Sequence, residues 1–130
     1  MTPLPRDPKR RAAPEKLLPL SPRDFLVLFS LASSGEQHGY GIVKAVERES
    51  DGTVSLDPAN LYRALKRLIR DGLVREAERR AAPDAGYERR RYYAITDFGR
   101  KVVALEAARL ARLADAARAG QLIPLKGDIP

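Results

Sequence analysis

The sequence predicts a mainly α protein with a single two-stranded β-hairpin, and three features point that way. Ser21, Asp57 and Thr96 each stand just ahead of an apolar-periodic run, where helix-capping side chains belong. After Gly72 the spacing of apolar residues shortens from helical to strand-like over two short segments. From Asp97 to Ala119 an Ala-rich run restores the helical period.

Ser21 caps a first helix whose opening turn holds Pro22, where the missing N–H does no harm, and Asp24 at the S-x-x-D position. This helix runs to about Ser34 and Gly35. Six of the seven residues from Phe25 to Leu31 are apolar, so it has to be covered on two sides, one of which a second subunit can supply. A second helix spans about Tyr40 to Ser50, turns Ile42, Val43 and Val46 inward, and stops at Asp51-Gly52. The third starts on Asp57 with Pro58 at its first position and ends at Asp71-Gly72. Its apolar stripe is Leu61, Leu65, Leu68 and Ile69, while Asn60, Arg63, Lys66, Arg67 and Arg70 lie mostly elsewhere.

Leu73–Arg79 and Arg89–Ile95 read as two strands joined by a loop containing Pro83-Asp84 and Gly86. Thr96 then caps the last helix, Asp97 to Ala119, in which Val103, Ala107, Leu110, Ala114 and Ala117 follow a 4,3,4,3 spacing. At about 1.5 Å per residue this helix extends roughly 35 Å, more than the globular part needs. Phe98, Val102 and Leu105 are expected to pack on the domain. Val103, Leu110, Leu113 and Ala117, together with Phe25 and Phe29 of the first helix, are left as a dimer interface. Packing within one chain, or fraying of the helix end, is the competing account of the same residues.

The order helix, helix, helix, hairpin, helix is that of a winged helix-turn-helix followed by a long C-terminal dimerisation helix. The chain accordingly divides into a flexible basic N-terminal arm (1–19), the winged-helix domain (20–96), the dimerisation helix (97–119) and a C-terminal tail (120–130). At 130 residues, one domain is the expectation, and 44% apolar residues suffice for a packed core, which excludes disorder throughout. The absence of cysteine excludes disulfide scaffolds and zinc-thiolate sites. No apolar run approaches the roughly 20 residues of a membrane span, and the N-terminus lacks a secretory pattern, so a cytoplasmic protein without membrane contact is expected.

The net charge of +7 is unevenly placed: residues 60–101 hold twelve basic and six acidic side chains, whereas residues 20–59 hold three and six. Such a balance favours a polyanionic partner. An α-helix fits the major groove of double-stranded DNA, where Asn reads adenine and Arg reads guanine, which singles out Asn60 and Arg63 as base readers. Lys66, Arg67 and Arg70 follow as phosphate contacts. Taken alone, a solvated charged face explains these cations equally well. The hairpin shifts the balance: Arg79-Arg80 and Arg89-Arg90-Arg91 gather five guanidiniums on a small ribbon, a repulsive arrangement that DNA phosphates relieve. Pairing with Glu76, Glu78 and Glu88 is the alternative, but surface pairs contribute below about 1 kcal/mol each.

Two apparent motifs carry no chemistry. Asp97-Phe98-Gly99 spells a kinase magnesium triplet without the rest of that signature set, and Gly39-Tyr40-Gly41 lacks the third glycine and preceding strand of a dinucleotide fingerprint. With one histidine, no catalytic, cofactor or metal site is expected and the protein is not read as an enzyme.

Four segments in order, His38-Gly39-Tyr40-Gly41-Ile42, Asn60-Leu61-Tyr62-Arg63-Ala64-Leu65-Lys66-Arg67-Leu68, Asp71-Gly72-Leu73-Val74 and Arg90 to Arg100, resemble the PadR family of bacterial transcriptional regulators over residues 20 to about 115. The resemblance implies a homodimeric winged-helix DNA-binding protein, usually a repressor, released by a small-molecule effector or by a stress signal. It also implies the short subgroup with a single C-terminal helix. By position, the family's Leu-Tyr falls on Leu61 and Tyr62, placing Tyr62 against phosphate. The Gly-Ser or Gly-Thr pair common before it is replaced here by Ala59-Asn60, which implies a different operator. For the other signature, a local hydrogen bond is expected of His38, a tight helix start of Gly39 and core packing of Tyr40. An effector pocket at the dimer interface, and an RNA-binding or protein-docking winged helix, are the alternative readings.

Overall fold

Four side chains begin the four α-helices. Ser21 Oγ accepts from the Asp24 N–H at 3.0 Å, His38 Nδ1 from Gly41 at 3.1 Å, Asp57 Oδ1 from Asn60 at 2.7 Å and Thr96 Oγ1 from Gly99 at 2.9 Å. Each satisfies a donor that a helix start otherwise leaves open. In the computed structural model, which describes residues 13–78 and 91–124, the helices are α1 (Pro22–Ser34), α2 (Gly39–Glu49), α3 (Pro58–Arg70) and α4 (Asp97–Ala119). The strands are β1 (Gln37–His38), β2 (Val74–Glu78) and β3 (Arg91–Ile95).

The sheet has three antiparallel strands in the order β1-β3-β2, with Val74 opposite Ile95, Glu76 opposite Tyr93, and Gln37 also opposite Tyr93. The hairpin of β2 and β3 was legible in the alternation; β1 was not, because two residues hold no period and their partners lie more than fifty residues away. The segment 79–90, which carries the wing arginines Arg79, Arg80, Arg89 and Arg90, lies outside the described residues.

Chain reversal after α3 depends on Gly72, whose φ of +81° suits glycine. Its N–H bonds to Ile69 O and the Leu73 N–H bonds to Leu68 O, a Schellman ending that turns the chain directly into β2. Val27, Leu28 and Leu31 of α1, Ile42 and Val46 of α2, Leu61, Leu65 and Leu68 of α3, and Val102 of α4 close over Val74, Tyr93 and Ile95 of the sheet. Full burial of each large aliphatic side chain contributes about 1.5–3 kcal/mol.

Three expectations are corrected. The N-terminal arm does not extend loosely to residue 19. Pro14–Leu17 forms a 3-10 turn against α4, and Leu17, Leu18 and Leu20 pack on the core, because three leucines in four positions offer too much apolar surface to leave in water. Residues 1–12 lie outside the described residues. Val103 belongs to the core of its own chain, only 7% exposed, and is not left over for a second subunit: it joins Val102 in the buried apolar cluster. Tyr40 is 66% exposed and takes no part in the core.

A feature absent from the sequence reading holds the N-terminal turn in place. Glu106 is 1% exposed; its carboxylate accepts from the Leu20 N–H at 2.7 Å and from the Arg109 guanidinium. The Arg109 hydrogen bonds hold its carboxyl below the usual range, against the opposing effect of burial, with the Leu20 N–H adding to the lowering. No buried side-chain polar atom among the described residues lacks a partner.

Candidate nucleic-acid interface

Amphipathicity sets what α3 can present. With Leu61, Ala64, Leu65 and Leu68 buried against the domain, the helix turns Tyr62, Arg63, Lys66 and Arg70 outward. Arg91, the first residue of β3, stands across a cleft from this face. The cleft holds about 690 Å³ and is lined by the starts of α2 and α3 together with Arg91 and Tyr93 of the sheet. Burial first, and then the Glu76 carboxylate, push the Tyr93 phenol above its ordinary range, so it stays neutral.

The expected contact residues separate into distinct situations. Tyr62 is about half exposed, and Lys66 Nζ sits 5.7 Å from the centre of its ring, an i, i+4 cation–π pair on the open face of α3. Arg70 lies at the far end of the helix with Asp71 Oδ1 3.4 Å from its Nε. Arg91 is mostly exposed, with the Glu76 carboxylate 3.6 Å away. Arg67 is committed elsewhere: its guanidinium donates to Asp24 Oδ1 at 2.5 Å, tying α3 to the first turn of α1. Asn60 and Arg63 are joined, with Arg63 Nη2 donating to Asn60 Oδ1 at 2.5 Å. Arg89 and Arg90 lie outside the described residues.

A second cation–π pair, unmarked by the motifs above, puts its ring on the same cleft. Tyr40 at the start of α2 stacks on His38 and carries Lys44 Nζ 5.4 Å from its ring centre, while Tyr40 and Tyr62 both line the cleft. The signal was present as a repeated Tyr-x-x-x-Lys spacing, 40 to 44 and 62 to 66. His38 makes the local hydrogen bond expected of it, and Gly39 leaves room for Leu61, whose Cδ2 would lie 3.3 Å from an added Cβ.

Helices α2 and α3 packed beside a small antiparallel sheet, with the polar face of α3 turned outward next to the ribbon, define a winged helix-turn-helix protein. Comparison with family models matches residues 27–105 to the transcriptional regulator PadR-like family. The chain belongs to that family. Among solved structures, it is similar to a PadR family transcriptional regulator from Eggerthella lenta, with 27% identity, 79% of this chain and 85% of that one covered, and a TM-score of 0.57. It is also similar to a PadR family regulator from Clostridium difficile, at 20% identity, 78% and 99% coverage and a TM-score of 0.63. Bacillus subtilis PadR in complex with operator DNA matches at 22% identity over 62% of this chain and 44% of that one, with a TM-score of 0.53. Comparison with curated proteins finds no match. No helix among the described residues is long and apolar enough to cross a membrane.

Proposed function

We propose that the protein is a homodimeric, sequence-specific DNA-binding repressor that places α3 in the major groove of each half of an inverted-repeat operator. The observation that carries this reading is the outward face of α3, where Arg63, Lys66 and Arg70 lie on the side opposite the core while Arg91 stands at the base of the adjoining wing. Asn60 and Arg63 read base edges. Tyr62, Lys66 and Arg70 contact phosphates beside them, Arg89, Arg90 and Arg91 do so from the wing, and Tyr40 and Lys44 extend this surface along α2. Family membership and the operator-bound structure of the Bacillus subtilis relative support the assignment. Arg67, held by Asp24, contributes charge more than contact.

Binding measured against salt tests the proposal. If about 6–10 phosphates are neutralised, log affinity falls with log salt at a slope near −5 to −9. Asn60→Ala and Arg63→Ala relax base preference, and Arg91→Ala weakens all sequences about equally. A salt-independent affinity, or no preferred sequence in a random duplex pool, overturns the proposal.

A further inference from the structure

Asp57 does more than a cap requires. One carboxylate oxygen accepts from the Asn60 backbone N–H at 2.7 Å, which is the cap itself; the other accepts from Asn60 Nδ2 at 3.0 Å. Asn60 Oδ1 in turn accepts from Arg63 Nη2 at 2.5 Å. Three side chains spaced three residues apart thus form a directed chain along the first turns of α3, from guanidinium through amide to carboxylate. The direction matters because an amide oxygen only accepts and an amide nitrogen only donates. Turning the Asn60 amide over would set its NH₂ against the Arg63 donors and its oxygen against the Asp57 carboxylate, so the chain admits one orientation.

We infer, on the DNA-reading proposed above, that Asp57 is a positioning residue that determines base preference: it fixes the donor–acceptor order of Asn60 and, through Asn60, the placement of Arg63. One N–H and one lone pair of the amide remain for a base edge, along with the other guanidinium N–H groups. Bidentate reading depends on which of the two amide atoms lies toward which base position. An amide free to rotate presents both orders and discriminates less. Capping alone leaves this second bond unexplained, since Ser and Asn cap as well as Asp does.

The cap-preserving variants separate the two roles. Asp57→Ser keeps an oxygen for the Asn60 N–H and has none for the side chain. Asp57→Asn also caps but turns a donor toward Asn60. Full-length wild type, Asp57→Ser, Asp57→Asn, Asn60→Ala and the Asp57→Ser/Asn60→Ala double variant are each used to select duplexes from a random pool. Losing the Asp57 charge strengthens binding to all DNA, so the readout is the ratio among sequences, not absolute affinity. Both single variants at Asp57 lose roughly fivefold or more of the discrimination at the base pair where Asn60→Ala also loses it. The double variant matches Asn60→Ala, because coupled residues do not add. A wild-type preference profile in both Asp57→Ser and Asp57→Asn overturns the inference, as does an Asp57→Ser effect of equal size in the Asn60→Ala background. A preference that Asn60→Ala leaves intact removes the relay while sequence-specific DNA recognition stands; no preference in the wild type removes both.

Discussion

Glu106 shows how one residue can escape a reading of periodicity. In the sequence it is one of several carboxylates on a charged Ala-rich helix, the kind that ordinarily faces solvent. Its burial follows from two partners, Arg109 one turn further along α4 and the Leu20 N–H, which comes from the far end of the chain and leaves no local signal. Because folding lowers its pKa, the folded state binds fewer protons than the unfolded state in the acidic range. The stability it contributes is therefore full above the ordinary Glu value and lost as pH falls through the lowered folded value. Glu106→Gln is expected to cost about 1.5–3 kcal/mol at neutral pH, the worth of hydrogen bonds to a charged group, and to flatten the acid limb of a stability-versus-pH curve measured by urea unfolding. A curve with an unchanged acid limb would show that Glu106 is ionised alike in both states. Arg67 and Tyr40 are the converse case: residue type alone suggests a phosphate contact and a core ring, whereas Asp24 on a neighbouring helix and an open cleft decide their environments.

At the scale of elements, what was legible was what is encoded locally. Ser21, Asp57 and Thr96 mark helix starts by hydrogen bonds reaching only three residues, so α1, α3 and α4 begin where the sequence places them. The strand β1 and the turn Pro14–Leu17 depend on partners distant in the chain and had no comparable mark. The junction between β3 and α4 combines both kinds of information. Thr96 caps α4 through its hydroxyl and also donates to Gly72 O at 2.6 Å, while its N–H bonds to Leu73 O at 3.0 Å. That closeness leaves no room at Gly99: an added Cβ would lie 2.2 Å from Leu73 O and 2.8 Å from Ile95 Cγ1. The obstacle at Leu73 is backbone fixed by the α3–β2 turn, so it cannot yield as a side-chain tip does. Gly99→Ala is expected to destabilise by about 1–3 kcal/mol despite the better helix propensity of alanine, read as a lower midpoint in chemical denaturation. An unchanged or raised midpoint would mean that α4 shifts along the sheet at little cost.

For the whole molecule, the unequal burial along α4 bears on assembly. Its buried residues are Gly99, Val102, Val103 and Glu106, and none of the residues from Ala107 to Ala119 is buried. That stretch runs roughly 20 Å at 1.5 Å per residue, and a helix of such length is marginal in water unless it packs on an apolar neighbour. Leu110 and Leu113 are exposed on it, and Phe29 is exposed on α1, which packs along the same helix. In the homodimer proposed above, a second copy covers these side chains, which accounts for the length of α4 and supplies the two-fold symmetry of the proposed inverted-repeat operator. The two ends of the helix should then respond differently to substitution. Val103→Ala opens a cavity in the chain's own core and lowers stability by about 1–3 kcal/mol, leaving the folded protein's oligomeric state as it was. Leu110→Glu combined with Leu113→Glu leaves the core alone and sets carboxylates against the partner. Sedimentation equilibrium of that variant should give the mass of one chain with the helical circular dichroism of the domain retained, and its salt slope on operator DNA should fall to about half the wild-type value, as one reading module instead of two releases counterions. A double variant that still sediments as a dimer would place the pairing surface elsewhere, and the spacing between the two α3 helices would have to be derived from that other surface.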